Sequence, residues 1–515
     1  QQLRMEDQGA AKIRRLDHHQ CLSDALEFSP FQMGDLPEEI QHLVLSLQSP
    51  KEAARTSIVS RKWREVWTRY PNLCFDGTED GPTDEDSVKI KGAKFIETVN
   101  SVIQKHTGTR LNKFSIRCYL EKNCSDHLDR WVYFATASKS AKIIDINLGP
   151  QRKDIGPTKE VYHFPLQALD GLDGPFVQSL FLTNVSIKPR SDICGFKKLV
   201  KLHLHCAEII GDLPELLLNC PILEDLELIA CSGVAELNIP HPLDKLRHLL
   251  ICNMSLKMVD FQVTGLTHFG YQGFVIPILL HGCSNLEKVT ITFFRMPLAE
   301  QVSNKGFVCA IAGIIPSISA VKELHVCASM REYNPTWLWS LQVRGMTRPT
   351  CMLVKLRKLT CEITILTNGP NSHDGIFQIA QFLDFAPRLE TLELHMCYSV
   401  EIGGSCWCDE SEVFPMRRLD HLKTVYMSGF RCYRPQIELL LGILENGDVL
   451  EHVTIEPMVK LDKNPDDKIN IGIPEDSICA WARLASQRFG KDIVVVKAPR
   501  RRICKWVGGW SIKAK

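Results

Sequence analysis

Several features that would place a chain in a common functional class are absent from this 515-residue sequence. Acidic and basic residues nearly cancel, 60 against 61, so a net charge of +1 gives no field that would attract nucleic acid or an anionic membrane. No apolar run reaches the roughly 18 residues that a membrane-spanning helix needs. The first twenty residues are polar and show no apolar segment like that of a secretory signal. We therefore expect a cytoplasmic or nuclear protein that binds neither nucleic acid nor membrane.

Close cysteine pairs are missing too. The 20 cysteines are spread singly along the chain, no Cys-x-x-Cys pair occurs, and the nearest neighbours are Cys406 and Cys408. Because zinc modules usually take their ligands from close pairs, a structural zinc site is not predicted. In a reducing compartment these cysteines are interpreted as small buried hydrophobic residues.

Signatures of catalysis are also lacking. The sequence contains no His-Glu-x-x-His, Gly-x-Ser-x-Gly or Gly-x-Gly-x-x-Gly motif. Gly490-Lys491 resembles the end of a phosphate-binding loop, but Asp492 replaces the hydroxyl residue and Ala485 the first glycine. We predict a protein that is not an enzyme and that holds no metal or cofactor.

Residues 31–76 carry apolar side chains at helical spacing in three short segments. The first begins at Asp35 and Pro37 and places its apolar residues on one face. A capping box with proline at the first helical position opens the second segment at Ser49. So small a module cannot bury all of this apolar surface alone, so either a partner or the rest of the chain must cover it.

The module resembles a plant-type F-box. Leu36-Pro37-Glu38-Glu39-Ile40, the stretch 53–64 and Pro71-Asn72-Leu73 carry the resemblance, which departs from the family at Gln48 and Ser49, where leucine and proline are usual. The resemblance implies binding to a Skp-type adaptor and, through it, to a cullin. The residues that match adaptor-contacting positions are Leu36, Pro37, Ile40, Val44, Val59 and Trp63.

Beyond an acidic stretch, the pattern apolar-x-x-apolar-x-apolar occurs thirteen times. Its first positions are Leu111, Ala141, Val177, Leu199, Leu223, Leu246, Leu266, Leu286, Val321, Leu356, Leu389, Leu422 and Leu450. Between 177 and 286 the intervals are 20–24 residues, near the roughly 20–29 of a leucine-rich repeat, and later intervals of 28–35 indicate longer connectors.

Each repeat buries its apolar face only against its neighbours, which predicts a curved α/β solenoid with strands on the inner side. The variable positions of the motif would then form a mixed polar inner face suited to a folded target or a peptide. Taken singly, most of these residues are ordinary solvated strand positions, since fewer than about a third of interface residues contribute strongly to binding. The predicted target-binding residues are His203, His205, Asp225, Glu227, Glu323, His325, Lys358, Glu393 and His395.

Residues 420–496 resemble the FBD region that follows the repeats in many plant F-box proteins, and physically they suit the closing end of a solenoid. The predicted fold is thus a three-helix F-box, an irregular leucine-rich-repeat horseshoe and an FBD-type C-terminal cap. The predicted order is a disordered tail (1–30), the F-box (31–76), an acidic linker with a connecting helix (77–110), the repeats (111–419), the FBD region (420–496) and a basic tail (497–515).

The leading hypothesis for function is the substrate-recognition subunit of an SCF-type (Skp-cullin-F-box) ubiquitin ligase, which holds an unidentified protein target. A small-molecule, hormone-like sensor is a second hypothesis, although the inner face offers no arginine cluster to ring such a ligand. A repeat scaffold that does not bind the adaptor is the third, motivated by Gln48 and Ser49.

Overall fold

The computed structural model gives the course of the chain from Leu36 to Val496, with gaps. The described residues are 36–47, 52, 55, 58, 61–78, 85–118, 124–149, 161–170, 176–189, 195–239, 242–294, 314–331, 352–366, 379–380, 382–398, 416–458 and 475–496. The predicted tails (1–30 and 497–515), Val59, Gln48 and Ser49 lie outside them. Within the described ranges, no helix has both the length and the apolar character needed to cross a bilayer.

The described chain contains eight α-helices and twenty strands. The helices are α1 (Glu38–Ser46), α2 (Arg61–Thr68), α3 (Glu85–Lys105), α4 (Ser125–Tyr133), α5 (Leu213–Leu218), α6 (Ile315–Ile318), α7 (Arg434–Asn446) and α8 (Glu475–Phe489). The strands are β1 (Asn72–Asp76), β2 (Lys113–Arg117), β3 (Ile143–Asn147), β4 (Ser179–Thr183), β5 (Ser186–Ile187), β6 (Lys201–His205), β7 (Glu208–Ile209), β8 (Asp225–Ile229), β9 (Glu236–Ile239), β10 (His248–Cys252), β11 (Met258–Gln262), β12 (His268–Gly273), β13 (Ile278–His281), β14 (Lys288–Phe293), β15 (Glu323–Arg331), β16 (Lys358–Leu366), β17 (Thr391–Tyr398), β18 (Thr424–Ser428), β19 (His452–Glu456) and β20 (Ile493–Val495). Short 3-10 turns occupy Leu166–Asp170 and Gly195–Lys198, and a π-helical turn at Phe134–Ser138 follows α4.

Among the described residues, one parallel sheet of fifteen strands organises the fold. Its order is β1-β2-β3-β4-β6-β8-β10-β12-β14-β15-β16-β17-β18-β19-β20, so each strand lies beside the next one that belongs to this sheet. The intervening short strands pair elsewhere, as β9-β11-β13 and as β5-β7. All thirteen sequence motifs coincide with strands of the large sheet, and this arrangement fits a leucine-rich-repeat solenoid.

Equivalent motif positions pair directly across the sheet. Leu202 on β6 lies opposite Leu226 on β8, which lies opposite Leu249 on β10. These side chains are almost fully buried and belong to one apolar core that runs from Leu73 to Ile493. In-register stacking of this kind is how each repeat covers the apolar face of its neighbour.

The chain leaves several strands through a left-handed residue. Asn184, Cys206, Ala230 and Asn253 directly follow β4, β6, β8 and β10, with φ between 50° and 57°. Each donates its backbone N–H to a carbonyl in the last two residues of the next strand in the sheet, at 2.7–3.0 Å. The hydrogen bond offsets the cost of a conformation that side-chain-bearing residues usually avoid, and the chain turns away from the sheet after five residues.

The N-terminal helical module has a core of its own. Leu45 on α1 packs with Trp63, Val66 and Tyr70, and partly buried Val44 and Trp67 lie against them. The module is anchored to the end of α3, where Thr107 donates its backbone N–H to the carbonyl of Thr68 at 2.8 Å. Of the predicted second helix only Glu52, Arg55 and Ile58 are described, and all three are helical.

The sheet extends beyond both ends of the predicted repeat region. It begins at Asn72, inside the stretch assigned to the F-box, because β1 pairs with β2 in register. The stretch 77–110 contains the 21-residue helix α3, whose Val99 is fully buried in the main core. At the other end, β18, β19 and β20 continue the same parallel register, so 420–496 forms the last part of the sheet. The structure does not separate an FBD cap from the repeats.

Candidate functional site

Polar residues line one face of the large sheet because side chains alternate along each strand. On β6, for example, Leu202 and Leu204 are buried, whereas Lys201 is exposed and His203 and His205 are half-buried. The predicted target-binding residues all lie on this polar face. The structure groups most of them into two patches that differ in chemistry.

The first group, which we call the N-terminal patch, spans β6, β8 and β10 and consists of Lys201, His203, His205, Asp225, Glu227 and His248. Asp225 is its centre: His248 Nδ1 lies 2.7 Å and Lys201 Nζ 3.4 Å from its carboxylate oxygens. His203 Nε2 lies 3.3 Å from Asp225 Oδ2. Glu227 Oε2 lies 3.3 Å from nitrogens of both His203 and His205.

The surroundings of Asp225 favour its ionised form. Burial opposes ionisation, but the hydrogen bond from His248 and the charges of His203 and His248 outweigh burial and lower the pKa of this carboxyl. Phe181 on β4 meets the His203 ring edge-on, with the ring centroids 4.8 Å apart, and limits solvent on that side. The N-terminal patch is therefore a preorganised set of alternating charges with one aromatic wall.

The second group, which we call the C-terminal patch, spans β15, β16 and β17 and consists of His325, Cys327, Lys358, Thr360, Glu362, Glu393 and His395. His325 Nε2 lies 3.2 Å from Glu362 Oε1 and 3.4 Å from Cys327 Sγ. Cys327 Sγ also lies 3.4 Å from Glu362 Oε2. Hydrogen bonds with Cys327 and Glu362 raise the pKa of His325 to about 10, and the bond from His325 lowers the pKa of Glu362.

The remaining members of the C-terminal patch form ordinary polar contacts. Lys358 Nζ lies 2.8 Å from Glu393 Oε1, and the Thr360 hydroxyl donates to Glu393 Oε2 at 2.9 Å. His395 Nδ1 is hydrogen-bonded to the Ser428 hydroxyl at 2.8 Å. Glu323 is exposed at the start of β15, in register with Lys288 and Lys358.

The two patches are separate along the sheet. Three strand-to-strand steps lead from β10, the last strand of the N-terminal patch, to β15, the first strand of the C-terminal patch. Neighbouring strands stand about 4.8 Å apart, so the patches are separated by about 14 Å along the sheet. A small ligand therefore cannot contact both patches, whereas a protein surface or an extended peptide can.

Five members of the patches are absent from the sequence-based prediction: Lys201, His248, Cys327, Thr360 and Glu362. A signal for two of them was present. Cys327 and Glu362 directly follow the third apolar position of their motifs, as His205 and His395 do in theirs. The parallel register then aligns Cys327, Glu362 and His395 in one row across three strands.

A second candidate surface lies on the helical module. Along α1 and its end, Ile40, Leu43 and Leu47 form a stripe at helical spacing and are 42%, 55% and 80% exposed. Ile58 is 77% exposed. Exposed apolar side chains grouped in this way mark protein interaction sites.

The predicted adaptor-contacting residues are not all at this surface. Pro37 and Ile40 are exposed, and Leu36 and Val44 are half-buried. Trp63 is only 9% exposed because its ring packs in the core between α1 and α2, and its contact with an adaptor stays a prediction. Its amphipathic spacing could not distinguish an internal core position from a partner contact. Leu43, Leu47 and Ile58 are the exposed residues that the prediction omitted.

Comparisons with known proteins match the helical module and the repeat-bearing part of the chain to two separate family models. A family model described as At1g61320/AtMIF1, LRR domain, matches residues 102–480, and the F-box domain model matches residues 33–75. F-box/LRR-repeat protein At3g58900 of Arabidopsis thaliana is 28% identical over 253 residues, which cover 46% of this chain and 72% of that protein. Probable FBD-associated F-box protein At1g32375 of the same plant is 24% identical over 433 residues, which cover 82% of this chain and 92% of that protein. Among solved structures, an internalin of Listeria monocytogenes is 12% identical with a TM-score of 0.32 and covers 71% of this chain and 88% of its own.

Proposed function

The chain belongs to the family of F-box proteins with leucine-rich repeats, and from that premise we propose that it is the substrate-recognition subunit of an SCF-type ubiquitin ligase. The helical module would bind a Skp-type adaptor and, through it, a cullin. The polar face of the sheet would bind a protein target. The observation that carries the proposal is the exposed apolar stripe of α1, inside the segment that matches the F-box model.

The stripe supports adaptor binding because Ile40, Leu43 and Leu47 are exposed apolar side chains on one helix. Leu45, Val66 and Tyr70 complete the small core between the two helices, so Leu43 and Leu47 are not needed to close it. Large apolar side chains at such exposure stabilise a complex when a partner removes them from water. Leu36 and Pro37 lie at the entry to the same helix, where the Pro37 carbonyl accepts the first hydrogen bonds of α1.

The polar face supports target binding because it is extended and rigidly built. Its side chains stand on hydrogen-bonded parallel strands, and the two patches are separated by about 14 Å along the sheet. Sites on regular strands hold their side chains more precisely than sites on loops. A target that contacts both patches would be fixed in orientation as well as in position.

F-box/leucine-rich-repeat proteins are generally non-catalytic adaptors, and neither matching family model is an enzyme domain. The contribution of this chain to ubiquitin transfer would be positional: it would hold the target near the charged enzyme, so that an encounter between two molecules becomes a reaction within one complex. Such a subunit would act in the cytoplasm or the nucleus.

Co-purification with a Skp-type adaptor tests the proposal. We expect residues 1–515 to co-elute with the adaptor in size-exclusion chromatography, and the Leu36→Ala/Pro37→Ala variant to lose co-elution while keeping its thermal transition. Leu484→Ala, which removes an exposed apolar side chain from distant α8, is the matched control and should still co-elute. Failure of the folded native chain to bind would refute the ligase role and favour a repeat scaffold without adaptor binding.

A further inference from the structure

The C-terminal patch contains a group of side chains that target recognition does not explain. Cys327 on β15 and Glu362 on β16 are direct register partners, and His325 lies two residues before Cys327 on the same face. One donor atom from each residue can be chosen so that all three lie within 4.8 Å of one another. Thiol, imidazole and carboxylate thus converge from two adjacent strands.

The spacing of these donors matches one face of a zinc coordination tetrahedron. Zinc binds nitrogen and oxygen at about 2.0–2.2 Å and sulfur at about 2.3 Å, which places tetrahedral ligands about 3.3–3.6 Å from each other. The measured separations are 3.2 Å for His325 Nε2 to Glu362 Oε1, and 3.4 Å from Cys327 Sγ to both His325 Nε2 and Glu362 Oε2. The histidine and cysteine edges end on different oxygens of Glu362, Oε1 and Oε2. With one oxygen chosen, the three donors still lie within 4.8 Å of one another, close enough for one cation to draw them together.

A catalytic Cys-His-Glu triad does not account for the same atoms. In a triad the histidine contacts its nucleophile through one ring nitrogen and its carboxylate through the other. Here Cys327 and Glu362 both approach Nε2 of His325. The thiol and the carboxylate therefore stand on the same side of the imidazole, as ligands of a shared ion do.

We propose that His325, Cys327 and Glu362 bind a zinc ion on the polar face of the sheet. The thiolate selects zinc over magnesium and calcium, which prefer oxygen donors alone. A water molecule can complete the tetrahedron, and so can His395, which lies in register with Glu362 on β17. On binding, the thiol of Cys327 and the protonated imidazole of His325 each give a proton to solvent, and the sulfur and Nε2 bond to the metal.

The N-terminal patch is the natural internal comparison. His203, His205 and Glu227 also bring three donors within 4.8 Å, but none is a sulfur atom. Any ion bound there is held by nitrogen and oxygen alone. Spectra that report a metal–sulfur bond therefore distinguish the two patches.

Cobalt substitution tests the site in the full chain. After removal of metals by a chelator under reducing conditions, Co²⁺ is titrated while absorption is recorded. We expect ligand-field bands of tetrahedral cobalt in the visible region and a thiolate-to-cobalt charge-transfer band in the near ultraviolet. One equivalent of Zn²⁺ should abolish both, because zinc is the stronger competitor for such a site.

Variants decide whether these three residues are the ligands. Cys327→Ser should remove the charge-transfer band, and Glu362→Gln should weaken cobalt binding at least about tenfold, since even outer partners of metal ligands are worth that much. Cys206→Ser, which changes an exposed cysteine after β6, is the control and should leave the spectrum unchanged. Absence of the charge-transfer band in the folded native chain, or its persistence in Cys327→Ser, would overturn the proposal.

Discussion

Removal of the apolar stripe should weaken adaptor binding by an amount that its exposure sets. Leu43 is 55% and Leu47 80% exposed. Complete burial of a leucine side chain is worth about 1.5–3 kcal/mol, so the exposed portions represent about 2–4 kcal/mol if the adaptor covers both. The Leu43→Ala/Leu47→Ala variant should then bind about 30- to 700-fold more weakly.

Isothermal titration of the full chain with a Skp-type adaptor gives the affinities directly. Ile90→Ala is the matched control, since Ile90 is 70% exposed on α3 outside the module. It removes a comparable apolar side chain and should leave the dissociation constant unchanged. The thermal transition of both variants should stay close to that of the native chain, because the module core around Leu45 is untouched.

An affinity of the double variant within about threefold of native would refute the reasoning. It would show that the adaptor does not cover this stripe, since threefold corresponds to about 0.7 kcal/mol, well below the smallest burial estimate. An equal loss of adaptor affinity in Ile90→Ala would also refute the reasoning, because the effect would then not be specific to the stripe.

Three further outcomes follow from buried or paired groups. Trp63→Ala should unfold the helical module at a cost of about 3–5 kcal/mol while the sheet stays intact, which limited proteolysis would show as cleavage confined to the N-terminal region. Gln436→Met should destabilise the fold by about 2–3 kcal/mol in chemical denaturation, because the fully buried amide accepts hydrogen bonds from the backbone of Arg431 and Tyr433 and donates to the Gly429 carbonyl. His325 should stabilise the metal-free chain fully below its unfolded pKa of about 6.5, and this stabilisation should be lost as the pH rises through its folded pKa of about 10. The free energy of unfolding of the native chain should therefore exceed that of His325→Gln by about 1–3 kcal/mol more at pH 6 than at pH 10.5. Both measurements are made in the presence of a chelator.

The strands were largely predictable from sequence because their signal is local. Each motif supplies the alternating apolar residues that one strand needs to cover its neighbour. The strand β1 was not predicted although Tyr70, Leu73 and Phe75 fit the same pattern, because residues 31–76 were assigned to the F-box on the basis of the resemblance. The strand β20 has Gly490 at the first apolar position of the motif, so the repeat pattern does not predict it, although the β-branched run 493–496 is typical of a strand.

The side-chain contacts within the two patches were less predictable from the sequence than the strands. Parallel register could have placed Cys327 opposite Glu362, since both follow the third apolar position of their motifs. Which ring nitrogen of His325 they approach depends on rotamers, and sequence spacing does not determine these. The same limit applies to Trp63, whose burial depends on how α2 rotates against α1 rather than on its own periodicity.

The charges of the polar face constrain how it can recognise a target. Lys201 already faces Asp225 at 3.4 Å, and Lys358 faces Glu393 at 2.8 Å. A target that offers its own charge to either pair must displace an existing partner, and the gain is then the small difference between two partly exposed ion pairs. Charge at these positions can therefore fix orientation and exclude mismatched targets, but it cannot supply most of the affinity. That affinity must come from surface that the target removes from water, and the Phe181 ring beside His203 provides such surface.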